Sequence, residues 1–290
     1  MSAHFIAEVS SNHHGDLDRC KRFIDSAAEI GCDSVKFQLF RIEELFSPEA
    51  LSNNENLRNR KAWELPTAFI PPLAEHSHAR GLQFSCTPFY LDAVAELEPY
   101  VDFYKIASYE LMWDALLAAC ARTGKPVVLS TGMATMDEIA HAVKVLRTHG
   151  CQTLTLLHCI SGYPTPVDEC NLAAIASLRD AHQCAVGWSD HSVNPQVIHR
   201  AINYWGAKVV EFHLDLDGEG DEFKTGHCWL PAPMQTVIQT INDSALTANW
   251  TTADGSGVKL PSPTELPDRA WRADPDDGLR PLKATRAQFA

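Results

Sequence analysis

The sequence predicts a (β/α)8 TIM barrel. Short apolar runs recur eight times, each followed by a stretch whose apolar residues repeat at helical spacing. Alternation of strand and helix produces a parallel sheet, and eight units in about 250 residues match the size at which such a sheet closes. A doubly wound open sheet is the structural alternative. It needs a glycine-rich phosphate turn after the first strand, and SSNHHGD is not G-x-G-x-x-G.

Taken in order, strands are expected at 4–10, 33–40, 82–88, 102–108, 126–132, 154–160, 185–191 and 208–214. Helices are expected near 16–30, 67–80, 90–98, 111–122, 135–149, 171–181, 195–204 and 231–248. Several of these end at a glycine (Gly31, Gly81, Gly124, Gly150, Gly206), which suits the left-handed turn that closes a helix. Residues 41–66 are too long for an ordinary strand-to-helix connection and are expected to overhang the barrel mouth. Residues 250–290, rich in Gly, Pro, Asp and Arg, read as a segment outside the barrel. The expected division is a catalytic barrel over 1–249 and a tail or arm over 250–290.

Composition narrows the function. With 45% hydrophobic residues the chain has ample material for a core. A formal net charge of −13 argues against nucleic acid, whose phosphates need clustered Lys and Arg. It leaves room for small anions held by a few cations inside a cleft. No basic leader followed by an apolar run opens the sequence, and no run approaches the roughly 18 apolar residues of a membrane span. Nine scattered cysteines show no paired spacing. The expectation is a cytoplasmic protein with reduced thiols and no membrane partner.

The active site of such a barrel forms at the C-terminal strand ends. Here they carry Glu8 and Asn12, Lys36 and Gln38, Thr87, then Lys105 with Ser108 and Glu110, and further on Ser130, His158, Ser161 and Tyr163. Lysine is rarely buried without a partner. Lys36 and Lys105, inside apolar strands and near Ser108, Ser130, Ser161 and Ser189, suggest an anion pocket that shares phosphate and carboxylate oxygens. A snorkelling lysine stem and a Schiff-base lysine are the alternatives. Glu8 and Glu110 read either as a general base and its partner or as counter-ions to the two lysines. Cys159 beside His158 is discounted as a nucleophile pair, because neighbours on a strand face opposite ways.

The last two strands carry a second signal. Ser189 and His191 share one face of GWSDHS, while Glu211 and His213 share one face of KVVEFHLDLDG. On adjacent strands about 4.8 Å apart, the two imidazoles converge on one metal ion of the Mn, Zn, Co or Fe type. The alternative is a pair of satisfied core histidines.

Together the segments IAEVSSNHHGD, VKFQ, SCTPF, KIASYE, KPVVLSTGMAT, LLHCISGYPTP, VGWSDHS and VVEFH resemble the N-acetylneuraminate (sialic acid) synthase family, which includes legionaminate and pseudaminate synthases, over about residues 5–265. The resemblance implies condensation of phosphoenolpyruvate with an open-chain N-acylhexosamine aldehyde, giving a nine-carbon 2-keto acid and phosphate. The implied cofactor is a divalent metal, Mn2+ first and Mg2+ or Co2+ otherwise, on His191 and His213. It acts as a Lewis acid on the aldehyde oxygen while C3 of phosphoenolpyruvate attacks and water adds at C2. Phosphoenolpyruvate is implied against Lys36, Lys105, Ser108, Ser130, Ser161, Tyr163 and Ser189, with Thr87 in the same substrate site. Glu8 and Glu110 are implied in proton handling, and Gln38, Tyr163 and Asp221 on the acceptor side. A homodimer is implied as well.

Two departures accompany the resemblance. Ser161 stands where some members have Asn, and DLDGEGDEFKTGHCWLP matches the usual GPDH-like segment only loosely. Members normally continue into an antifreeze-like domain that supplies an arginine to the acceptor. Residues 250–290, with Arg269, Trp271, Arg272 and Arg280, are expected in its place as an ordered arm packed by Trp271. A synthase for an aldose phosphate, or a catalytically silent sugar-binding barrel, are the functional alternatives.

Overall fold

The computed structural model describes residues 3–242 and 250–289. Eight parallel strands pair in chain order: β1 (His4–Glu8), β2 (Ser34–Leu39), β3 (Gln83–Pro88), β4 (Phe103–Ile106), β5 (Val127–Ser130), β6 (Leu154–Cys159), β7 (Ala185–Asp190) and β8 (Val209–Leu214). β1 also pairs with β8, with Phe5 opposite Val210 and Glu8 opposite His213, so the sheet closes. The predicted (β/α)8 barrel is the observed fold. The outer ring is α1 (Leu17–Ile30), α2 (Ile70–Ala79), α3 (Leu91–Leu97), α4 (Asp114–Arg122), α5 (Met136–Thr148), α6 (Ala174–His182), α7 (Pro195–Asn203) and α8 (Pro231–Thr240). The end of the helix expected to 248, and the boundary expected at 249, fall outside the described residues.

Local chemistry sets these boundaries. Asp16 caps α1 by accepting from the backbone N–H groups of Asp18 and Arg19, and Gly31 at φ 93° ends it. Between those ends Cys20, Phe23, Ile24, Ala27 and Ile30 recur at helical spacing and are buried against the sheet. At α5, Thr135 and Glu138 form a reciprocal capping box. Among the described residues no helix is long and apolar enough to cross a membrane.

Strand periodicity divides the barrel interior into layers. Ile6, Phe103, Val128 and Leu157, with Val209 against them, make an apolar plug toward the N-terminal strand ends. Two residues further along each strand the same face carries Glu8, Lys105, Ser130, Cys159 and Glu211. Gly187 sits at plug level because a Cβ there would collide with the Val209 carbonyl and come within 2.6 Å of Leu157 Cδ2. Ser189 then follows in the polar layer.

Three additions dress the mouth. A two-residue strand, β9 (Cys228–Trp229), pairs with β8, setting Cys228 opposite His213. Residues 41–66 form short helical turns whose Ile42, Leu45, Phe46, Ala50 and Leu57 bury with Phe40 and Phe89 in a small core of their own. The tail lies over its own barrel. Arg280 N–H donates to the Leu45 carbonyl and Ser47 N–H to that of Arg280, both at 2.8 Å, while Trp271 packs beside the small core.

Candidate active site

At the C-terminal strand ends the polar layer opens into a cavity of about 670 Å³. Its floor is a buried charge network. Glu8 lies opposite Lys36 in the β1–β2 register and forms an ion pair with it. Glu211 stands between the lysines, 3.9 Å from Lys36 Nζ and 3.5 Å from Lys105 Nζ. Lys36 also donates to Thr87 Oγ1 at 3.1 Å. Burial raises the Glu8 carboxyl to about 7 despite the neighbouring Lys36, with Glu211 adding to the rise. Burial also lowers the basicity of Lys105, against the pull of Glu211.

The serines make a cradle beside these lysines. Ser108 Oγ accepts from the Gly132 N–H at 2.9 Å. A Cβ on Gly132 would collide with Ser161 Oγ and lie 2.8 Å from Ser108 Oγ, so only glycine lets the three approach. Among the described residues, Ser130 Oγ and Ser161 Oγ are buried without a hydrogen-bond partner. Ser189 lines the same space. Buried hydroxyls next to two ammonium groups form an oxyanion-shaped set of donors.

Above the lysines stand the histidines. His191 and His213, both buried, have ring centroids 5.3 Å apart. His191 Nδ1 bonds the Ile160 carbonyl at 2.8 Å and His213 Nδ1 bonds Glu222 Oε2 at 2.8 Å, leaving both Nε2 atoms unengaged by these bonds. Burial lowers both imidazole pKa values, that of His213 to about 4, so the rings are neutral at pH 7. Neutral, oriented imidazoles fit a divalent metal.

The acceptor-side candidates surround this core. Gln38 donates from Nε2 to Glu8 Oε1 and Ser10 Oγ, each at 3.0 Å. Tyr163 packs on His191 with centroids 4.3 Å apart. Asp221 accepts from Trp63 Nε1 at 3.0 Å and Lys224 Nζ at 3.2 Å, linking the 41–66 segment to the loop after β8. Not every candidate faces the cavity. Glu8 and Thr87 lie behind Lys36, Ser161 lies behind Gly132, and Glu110 is held by Arg280 from the tail, through Nε at 3.0 Å and through Nη2. It is Arg280 that lines the cavity. His158 turns outward, bonding the Cys170 carbonyl, while Cys159 faces inward.

The family model for the NeuB family matches residues 23–251. This chain belongs to the NeuB family. It is 38% identical to the N,N'-diacetyllegionaminic acid synthase of Campylobacter jejuni, an alignment covering 73% of this chain and 67% of that protein. It is 33% identical to the synthase of the same name from Legionella pneumophila, covering 93% and 78%. Among solved structures, the N-acetylneuraminic acid synthetase of Leptospira borgpetersenii, in complex with citrate, superposes with a TM-score of 0.77 at 29% identity, over 92% of this chain and 90% of that one.

Sequence reasoning leaves several side chains of this NeuB-family site unnamed. Glu222 and His227 join the histidines, and Arg60 and Trp63 line the mouth from the 41–66 segment. Glu222 and His227 lie in a loop and Arg60 and Trp63 at the two ends of a 3-10 turn, so none has a strand's period of two to orient it. The available signal for His227 is its position in GHCW, just before a short β-prone pair.

Proposed function

We propose that this NeuB-family protein condenses phosphoenolpyruvate with an open-chain N-acylhexosamine-type aldehyde to give a sialic-acid-like nine-carbon 2-keto acid and phosphate. The observation that carries this reading is the pair of buried lysines flanking Glu211 directly beneath buried, neutral imidazoles. Relatives named as legionaminic acid synthases support it.

In this reading Lys36 and Lys105 neutralise the phosphate and carboxylate of phosphoenolpyruvate. Ser108, Ser130 and Ser189 donate to its oxygens, with Ser161 packed behind Gly132 and Thr87 holding Lys36 in place. His191 and His213 hold a divalent ion, Mn2+ by preference, which when bound supplies a Lewis acid to the aldehyde oxygen. A bond forms between C3 of phosphoenolpyruvate and the aldehyde carbon, water adds at C2, and the C2–O bond to phosphate breaks. Glu8, buried and titrating near neutrality, suits the proton movements these steps require. Glu110 acts on the site through Arg280. Gln38, Tyr163 and Asp221 orient the acceptor. The reading includes a homodimer and, with nine free cysteines in its support, a cytoplasmic setting.

A panel of aldehydes assayed for phosphate release from phosphoenolpyruvate tests the substrate class. Release with N-acylhexosamines is the expected result. Release with phosphorylated aldoses alone would transfer the reading to that acceptor class, and no release with any aldehyde would leave a silent barrel.

A further inference from the structure

The loop after β8 brings a third imidazole to the same spot. His227 is buried, and its ring centroid lies 4.6 Å from that of His213 and 6.1 Å from that of His191. An imidazole bound through nitrogen at about 2.1 Å has its centroid about 3.2 Å from the ion, so two on one ion have centroids from about 4.5 Å (at right angles) to about 6.4 Å (opposed). All three separations fall in that window.

The tautomer of His227 also suits a ligand. Thr225 Oγ1 donates its proton to the Glu222 carbonyl at 2.7 Å, so its lone pair accepts from His227 Nδ1 at 2.6 Å. That leaves the Nε2 lone pair of His227 exposed to the cluster, 3.6 Å from Glu222 Oε2 and beyond hydrogen-bond length. Each of the three rings thus has Nδ1 tied to an oxygen, the arrangement that orients metal-binding histidines. A second observation comes from the donor atoms. One donor atom each from His213, Glu222, His227 and Cys228 lies within 4.8 Å of the others, which groups His227 with His213. His191 stands outside that group and is tied to the two rings by its centroid separations.

The backbone holds this arrangement rigidly. β9 is not needed to close the barrel, yet it sets Cys228 opposite His213 and so brings His227 beside that ring. Trp229 Nε1 donates to Asp190 Oδ2 at 2.9 Å, and Asp190 immediately precedes His191. One carboxylate therefore fastens the strand of His227 to the strand of His191.

We propose that His227 is a third imidazole ligand of the divalent ion, with Glu222 orienting His213 from behind. The inference rests on the proposed metal at His191 and His213 and adds to it a ligand from a loop that only loosely matches the family pattern. With three imidazoles, binding is tighter and leaves fewer positions to water.

Co2+ added to the metal-free protein serves as the probe. X-ray absorption of the wild-type Co2+ protein should count three imidazoles, a readout needing no variant. His227→Gln should reduce the count to two and weaken Co2+ binding at least tenfold in equilibrium dialysis. Two imidazoles in the wild type, with unchanged Co2+ affinity in His227→Gln but a large loss in His213→Ala, would overturn this inference and leave the two-histidine site standing. Unchanged affinity in His213→Ala as well would overturn both.

Discussion

Lys105 is the residue on which the site's electrostatics turn. Its ammonium is buried in the polar layer, 3.5 Å from Glu211 and close above the apolar plug, where a charge is kept only by nearby charges of opposite sign. Lys36→Met and Lys105→Met should each raise the KM for phosphoenolpyruvate at least tenfold, about 1.4 kcal/mol, while changing the acceptor KM far less. Steady-state kinetics with each substrate varied in turn checks this, and borohydride should trap no lysine adduct. His191→Ala and His213→Ala should lower kcat by similar large factors, because ligands of one ion act as a unit. A loss below about threefold, roughly 0.65 kcal/mol, in either variant would separate them.

Glu8 carries the pH dependence at the same scale. Its carboxyl titrates near 7, raised chiefly by burial. As pH rises through that value Glu8 loses its proton and places a negative charge beside Lys36, which then serves the anionic substrate less well. The KM for phosphoenolpyruvate should therefore rise between pH 6 and 8 in the wild type relative to Glu8→Gln. The comparison cancels the ionisation of phosphoenolpyruvate itself, and parallel profiles would show that Glu8 does not titrate there.

At the scale of elements, the parts that could be read from sequence are those with a period. All eight strands and their helices announce themselves because side chains alternate on a strand and recur every three to four residues on a helix. The same alternation aims Lys36, Lys105, Ser189, His191 and His213 into one cavity. Glu8 and Glu110 are equivalent as letters, and only tertiary contacts pair one with Lys36 and the other with Arg280. The tail was the least legible segment. Arg269 and Arg272 bind Glu138, and Arg280 binds Glu110 while lining the cavity.

Glu265 explains why that tail holds its course. Completely buried, it accepts from the backbone N–H groups of Met133 at 2.6 Å, Ser161 at 2.7 Å and Ser262 at 2.9 Å. One tail carboxylate thus fixes the loops that carry Gly132 and Ser161. Glu265→Ala leaves three buried donors unsatisfied and should cost about 3 kcal/mol or more, read as a lowered midpoint in thermal or urea unfolding. Truncation after residue 260 should lose at least as much. Full stability in the truncated protein with a raised acceptor KM would instead mean that the tail serves only the substrate.

Over the whole molecule the formal net charge is −13, and the cavity sets Lys36 and Lys105 on its floor and Arg60 and Arg280 on its wall among Glu211, Asp221, Glu222 and Asp268. An anion reaching the cavity meets these cations in a low dielectric, where each counts for more than in water. The barrel supplies the rigid floor, while the 41–66 segment, the β9 loop and the tail complete the mouth. The most direct measurement is product stoichiometry. Purified protein given phosphoenolpyruvate, an N-acylhexosamine and Mn2+ should release phosphate and form a nine-carbon 2-keto acid in equal amounts, with neither appearing when the aldehyde is omitted or a chelator is added. Phosphate release without the aldehyde, or undiminished turnover in chelator, would contradict the condensation proposed here.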